Sequence, residues 1–308
     1  MGKIAFVFPG QGSQAVGMGH DVFEKFDCAK HVYNVANSVL GKDISKICFE
    51  GPQEDLKLTQ NTQPAILTTS IALLEALKSL SKITPDFVAG HSLGEYAALY
   101  EAGVLSLEDT FSLIQKRADA MAKVSNGTMA AVLALSDEKV KEVLGRVKSG
   151  YVDVANYNCP GQVVITGDVD AVKEAGELLI AEGAKRVLPL AVSGAFHSAK
   201  MRDAADEFAH ALVEFSINDA KIPVVTNVDA ALTLESKDFR DKMPKQIYSS
   251  VYWTQSVQKM IEQGVDKFVE VGNGKVLAGL IKKISKDVAV YNVYDCETLE
   301  EVSKIISE

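Results

Sequence analysis

Short apolar, β-branched runs alternate with segments of helical period along most of the chain. Runs at 3–8, 86–90, 222–226, 266–271 and 288–293 predict strands, being too short for helices and bounded by turn residues. Apolar residues recurring every three or four positions predict helices over 21–38, 64–80, 93–103, 106–124, 199–214, 253–263 and 274–285. Pro64 suits the first turn of its helix, where its missing N–H costs nothing, with Thr62 as the cap. Such alternation predicts a parallel sheet covered by helices on both faces.

The middle of the chain has a different rhythm. Strands are predicted over 128–135, 152–155, 163–166 and 185–189, and helices over 137–147 and 169–181. That order, β-α-β-β-α-β, is the split pattern of a ferredoxin-like unit. Asn126-Gly127 and Ser193-Gly194 are turn signals on either side of it. The expectation is a large α/β domain made of residues 1–126 and 194–308, with a smaller subdomain, 127–193, inserted into it.

Composition narrows the functional classes. With 32 Lys and Arg against 41 Asp and Glu, the formal charge of −9 argues against non-specific nucleic-acid binding. No apolar stretch reaches the roughly 18 residues of a membrane span, and the N-terminus reads as a strand rather than a signal peptide. Cys28, Cys48, Cys159 and Cys296 are scattered without CxxC spacing, which points to a reduced compartment. Five histidines with no paired His/Cys cluster make a zinc site improbable.

Gly90-His91-Ser92-Leu93-Gly94 lies between a predicted strand and a predicted helix, the setting in which a G-x-S-x-G nucleophile elbow forms. Glycines beside the serine permit a sharp turn, and the following helix N-terminus favours negative charge. The Leu93 N–H would then face an oxyanion formed on an acyl group at Ser92. The bland alternative is a Gly-Ser turn. After the first strand, Gly10-Gln11-Gly12-Ser13-Gln14-Ala15 fits G-x-G-x-x-G/A nominally, but no strand ending in an acidic residue follows about 20 positions later, as dinucleotide binding requires. This loop could instead lie beside the elbow, where the Gln11 N–H would be a second oxyanion donor; otherwise its glycines merely permit a tight turn.

A serine nucleophile needs a base. His31 and His210 fall in amphipathic helices, His91 flanks the elbow, and His20 has no evident orienting partner. His197, in a loop following the inserted unit, is the best candidate. Arg117 shares a helix face with Leu113, Ile114, Ala120 and Met121, so its charge requires a partner. That partner is either an internal acid or a substrate carboxylate, which a guanidinium binds through two parallel hydrogen bonds.

Gly10-Gln11-Gly12-Ser13-Gln14, Gly90-His91-Ser92-Leu93-Gly94-Glu95, Arg117, Gly194-Ala195-Phe196-His197-Ser198, Gln246-Ile247-Tyr248 and Val271-Gly272-Asn273-Gly274-Lys275 occur in one ordered set. Together they resemble the malonyl-CoA:acyl carrier protein transacylase family over essentially the whole chain. The resemblance implies a hydrolase-like α/β domain carrying a ferredoxin-like insert. It implies transfer of malonyl from coenzyme A to the pantetheine thiol of acyl carrier protein, in fatty acid biosynthesis in the cytoplasm, through a malonyl-serine intermediate and without a cofactor. By the same resemblance Ser92 and His197 form a dyad, the Gln246 carbonyl orients His197, and the Gln11 and Leu93 N–H groups form the oxyanion hole. Arg117 would hold the malonyl carboxylate, and Met121 and Phe196 would line the pocket. The segment Tyr248-Ser249-Ser250-Val251 lacks the proline common there in relatives.

Two competing readings are a serine esterase or thioesterase and a non-catalytic module that keeps the fold. The former usually carries its histidine near the C-terminus, yet no histidine follows His210. An acidic carrier would need a basic landing site, for which Lys275, Lys282, Lys283 and Lys286 are candidates; a solvated helix face explains them equally well.

Overall fold

The structure, a computed structural model, describes residues 2–192 and 194–307. Ser193, half of the second predicted turn, lies outside them, as do Met1 and Glu308.

Among the described residues ten strands form two sheets: β1 (Lys3–Phe8), β2 (Phe87–Gly90), β3 (Thr128–Leu133), β4 (Val152–Cys159), β5 (Gln162–Gly167), β6 (Arg186–Pro189), β7 (Val224–Val225), β8 (Leu232–Thr233), β9 (Val265–Val271) and β10 (Ala289–Val293). The larger sheet has the order β10-β9-β1-β2-β7-β8 and is parallel except for the β7–β8 pair. Alternation along β1 explains why both of its faces are covered. Ile4, Phe6 and Phe8 join a core packed with the helices Asp27–Leu40, Thr59–Leu80 and Leu107–Ala122, whereas Ala5 and Val7 face Trp253, Val257, Leu277 and Ile281.

The second sheet, antiparallel in the order β4-β5-β3-β6, is built wholly from residues 128–189. Ala130, Val132, Val154, Val163 and Ile165 pack under the helices Asp137–Leu144 and Val169–Ala181, while Met129, Ala155 and Val164 turn toward the larger core. This is the hydrolase-like parallel sheet with a ferredoxin-like subdomain. Hydrogen bonds from Tyr157 N–H to the Val251 carbonyl (2.9 Å) and from Val251 N–H to the Ala155 carbonyl (2.8 Å) tie the two sheets' surroundings together.

Some element predictions need correction. The helical segment 21–38 is two helices, His20–Lys25 and Asp27–Leu40, separated by an extended Phe26. Both halves face one core, so the apolar period runs through the break without marking it. The long helix begins at Thr59, not at Pro64, and Thr62 donates to the Leu56 carbonyl (2.5 Å) instead of capping. Pro64 is tolerated inside it because the carbonyl it leaves unpaired, that of Gln60, accepts from Lys42 (2.8 Å) and Gln115 (3.3 Å). A helix at Ser236–Tyr248 was not expected from a segment so rich in charge; only Phe239, Met243, Gln246 and Ile247 are buried along it.

Three segments that matter for chemistry follow the carboxyl ends of adjacent parallel strands. Residues 9–14 follow β1, 91–94 follow β2, and 226–227 follow β7. That edge is where open α/β sheets assemble their sites.

Candidate active site

β2 stops at Gly90, Ser92 adopts φ +53°, and a short 3₁₀ turn at Ser92–Gly94 leads into the helix Glu95–Glu101. Only glycine fits on either side. A Cβ at Gly90 would lie 1.9 Å from the Gly94 carbonyl carbon, and one at Gly94 would lie 2.2 Å from the Phe8 carbonyl oxygen. The His91 N–H donates to that same Phe8 oxygen (2.9 Å), which fastens the elbow to the end of β1. The glycine loop therefore lies beside the elbow. Its next helix starts only at His20, so it lacks the helix N-terminus that a dinucleotide would need. Ser13 Oγ donates to the Gly10 carbonyl (2.8 Å), and Asn273 Nδ2 donates to the Ser13 carbonyl (2.5 Å), fixing the loop's shape.

Ser92 Oγ lies 2.8 Å from His197 Nε2, although 105 residues separate them. His197 Nδ1 is 2.9 Å from the Gln246 carbonyl oxygen and 3.2 Å from that of Ser249. Both are acceptors only, so Nδ1 carries the proton and Nε2 is left to accept one from the serine. His197 is 5% exposed, and its basicity falls to a pKa of about 3, chiefly through burial and next through the neighbouring Arg117 cation. The ring is neutral at physiological pH.

Arg117 projects from the helix Leu107–Ala122, whose Ser106 cap accepts from the Asp109 N–H (3.0 Å). Its guanidinium is 1% exposed and donates to Ser92 Oγ (3.1 Å), to Gln246 Oε1 (3.0 Å) and to Gln63 Oε1 (2.5 Å). Among the described residues it forms no ion pair, and its Nε has no partner. Of the two partners expected from sequence, no internal acid among the described residues bonds the guanidinium directly. Glu95 is close enough to interact with it electrostatically, but its Oε2 accepts from the Asn227 N–H (2.7 Å). Burial pushes the Glu95 carboxyl up to a pKa of about 7.

Ser92, His197, Arg117 and Gln63 border a cavity of about 90 Å³ that is also lined by Gln11, Leu93, Met121, Met129, Leu190, Val192 and Phe196. Every residue singled out from sequence for catalysis, oxyanion binding or the acyl pocket is in this wall, except Gln246, which contacts it through Arg117 and His197. A larger groove of about 630 Å³ beside the helix Val169–Ala181 has no serine, cysteine or histidine in its wall, so size does not locate the chemistry. His20, His31 and His210 are exposed, and His91 bonds Asn158 Oδ1 (2.9 Å). The basic cluster is elsewhere: Lys275 sits over the Tyr294 ring and Lys283 reaches Gln162. Among the described residues no group of His, Cys, Asp and Glu could hold a metal ion, and no helix is long and apolar enough to cross a membrane.

Gln63, Glu95, Asn227 and the Gln246 side chain were not expected. Gln63 is one of several buried polar residues in its helix, and it falls just before Pro64, where the sequence pattern put the helix start. Asn227 follows a strand of two residues and carries no motif of its own.

The acyl transferase domain family matches residues 5–302. The malonyl CoA-acyl carrier protein transacylase of Bacillus subtilis strain 168 is 45% identical, covering 100% of this chain and 98% of its own. The solved acyl carrier protein S-malonyltransferase of Vibrio cholerae superposes with a TM-score of 0.94 at 42% identity, covering 97% of this chain and 99% of the other. A malonyl-transacylase solved in complex with a type II polyketide acyl carrier protein superposes with a TM-score of 0.96 at 37% identity, covering 98% and 99%.

Proposed function

From the premise that this chain belongs to the acyl transferase domain family, we propose that it is a malonyl-CoA:acyl carrier protein S-malonyltransferase of fatty acid biosynthesis, acting in the cytoplasm. Malonyl moves from coenzyme A to Ser92 and then to the carrier's pantetheine thiol, without a cofactor. Residues 127–193 form the inserted subdomain in this reading.

The Ser92 hydroxyl donates to His197 Nε2 as Oγ attacks the thioester carbonyl carbon. The resulting oxyanion is met by the Leu93 and Gln11 N–H groups, because the Ser92 N–H is already donated to Asn227 Oδ1 (2.8 Å). As the tetrahedral intermediate collapses, the C–S bond breaks and the imidazolium returns its proton to the departing coenzyme A sulfur. A thiol then attacks the malonyl-serine ester by the same route in reverse.

Arg117 supplies the selectivity. Its unpartnered Nε and its bonds to two neutral amides leave a full positive charge for the malonyl carboxylate. Binding that carboxylate also offsets the cation that depresses His197, so the base strengthens when the correct substrate arrives. The single observation carrying this reading is a buried guanidinium 3.1 Å from the nucleophile that makes no direct ion pair among the described residues. A hydrolase would need no such group.

Incubation with malonyl-CoA, with and without holo acyl carrier protein, tests the reading. The expected result is stoichiometric release of coenzyme A without carrier and steady turnover with it. Rapid turnover without carrier would identify a thioesterase instead.

A further inference from the structure

Ser92 has a left-handed backbone, which a serine adopts only when its surroundings hold it there. At the end of β2, pairing with β7 stops at Ala89 and Val225, so neither the Gly90 carbonyl nor the Ser92 N–H is met by that strand. One side chain meets both: Asn227 Nδ2 donates to the Gly90 carbonyl (2.7 Å), and Asn227 Oδ1 accepts from the Ser92 N–H (2.8 Å). We propose that Asn227 is a positioning residue whose carboxamide clasps the elbow and holds the Ser92 hydroxyl in line with His197 and the acyl carbon.

The clasp is itself anchored. The Asn227 N–H donates to Glu95 Oε2 (2.7 Å), its carbonyl accepts from the Tyr252 N–H (3.0 Å), and the residue is fully buried. Glu95 opens the helix that follows the elbow, so the elbow's own helix braces the residue that braces the elbow. Gln246 closes the ring: its Nε2 donates to the Ser92 carbonyl (3.0 Å) and lies 3.5 Å from Asn227 Oδ1. A carboxamide is the short side chain that supplies one donor and one acceptor from a single planar group. Aspartate offers acceptors alone, and alanine offers neither. Occupying the Ser92 N–H also determines which amides remain for the oxyanion, so the clasp sets the polarity of the site as well as its geometry.

This inference rests on the proposed acyl transfer. The test measures the rate constant of malonyl-Ser92 formation by rapid quench and mass spectrometry for the parent, Asn227→Ala and Asn227→Asp. Malonyl-CoA dissociation constants are measured in Ser92→Ala and in Ser92→Ala with Asn227→Ala. The expectation is a loss of about 100-fold in acylation for Asn227→Ala, the cost of displacing a reacting atom by about 1 Å. Binding should stay within twofold, because Arg117 does not contact Asn227. Asn227→Asp, which keeps the acceptor and loses the donor, should fall between alanine and parent. A folded Asn227→Ala that acylates within threefold of the parent overturns the clasp, as does binding that weakens in proportion to the rate. Should the alanine variant not fold, the nearly isosteric Asn227→Asp decides by the same threefold criterion. A parent that forms no malonyl-serine refutes the transfer itself, a result separable from failure of the clasp alone.

Discussion

Gln63→Glu is the sharpest perturbation of the selectivity argument. The substitution changes one amide into a carboxylate of nearly the same shape, 2.5 Å from an Arg117 nitrogen in a buried site. It gives the guanidinium a resident counterion. With charge centres about 4 Å apart and an effective dielectric near 20, the attraction amounts to about 4 kcal/mol. The malonyl carboxylate must then share the cation and face a like charge as well. Even if half to three-quarters of that interaction is felt in the transition state, roughly 2–3 kcal/mol is lost, about 30- to 150-fold in kcat/KM for malonyl-CoA. Acetyl-CoA has no carboxylate to compete, so its much slower acylation should hold steady or rise. The assay is serine acylation from each thioester, expressed as the malonyl-to-acetyl ratio. A folded Gln63→Glu protein whose ratio stays within threefold of the parent would show that the uncompensated charge is not the source of selectivity.

Arg117→Ala should cost malonyl transfer far more than acetyl transfer; equal losses would count against the carboxylate fork. His197 must be neutral to accept a proton, and its lowered pKa, about 3, puts the acid limb of acylation well below the ordinary histidine value. Removing the Arg117 cation makes the imidazolium less unfavourable, so the limb should move upward in Arg117→Ala and stay put in Arg117→Lys. Acetyl-CoA is the substrate for this profile, and a Glu95→Gln background removes the buried carboxyl that titrates near pH 7 beside the site. Gly94→Ala drives a Cβ against the Phe8 carbonyl, so thermal unfolding should show a destabilised protein with a displaced elbow; an unchanged melting temperature and rate would contradict the close approach.

The motif-bearing residues were legible because local chemistry marks them. Ser92 stands between two glycines after a strand, Arg117 is a cation on an apolar face, and His197 is the histidine left once the two helical ones, the elbow-flanking His91 and the partnerless His20 are set aside. Both sheets were legible for a similar reason, since buried parallel strands read as continuous apolar runs and the split pattern has its own order. What escaped is defined by tertiary contact. Gln63, Glu95, Asn227 and the side chain of Gln246 come from four separate segments, and only the folded chain makes them one hydrogen-bond network around Ser92 and Arg117. The Ser236–Tyr248 helix escaped because its periodicity is carried by four buried positions in a charged segment with Pro244 inside. Pro64 misled in the same way, because the groups that satisfy the Gln60 carbonyl come from residues 42 and 115.

The central claim is that one hydroxyl, activated by a neutral imidazole and overseen by an unpaired guanidinium, carries the acyl group. Peptide mapping of the protein after exposure to malonyl-CoA without acceptor tests it most directly. The account predicts a single malonyl ester on Ser92, discharged on adding holo carrier protein and absent from Ser92→Ala. Malonyl accumulating in Ser92→Ala to the parental level, or mapped to any other side chain, would contradict it.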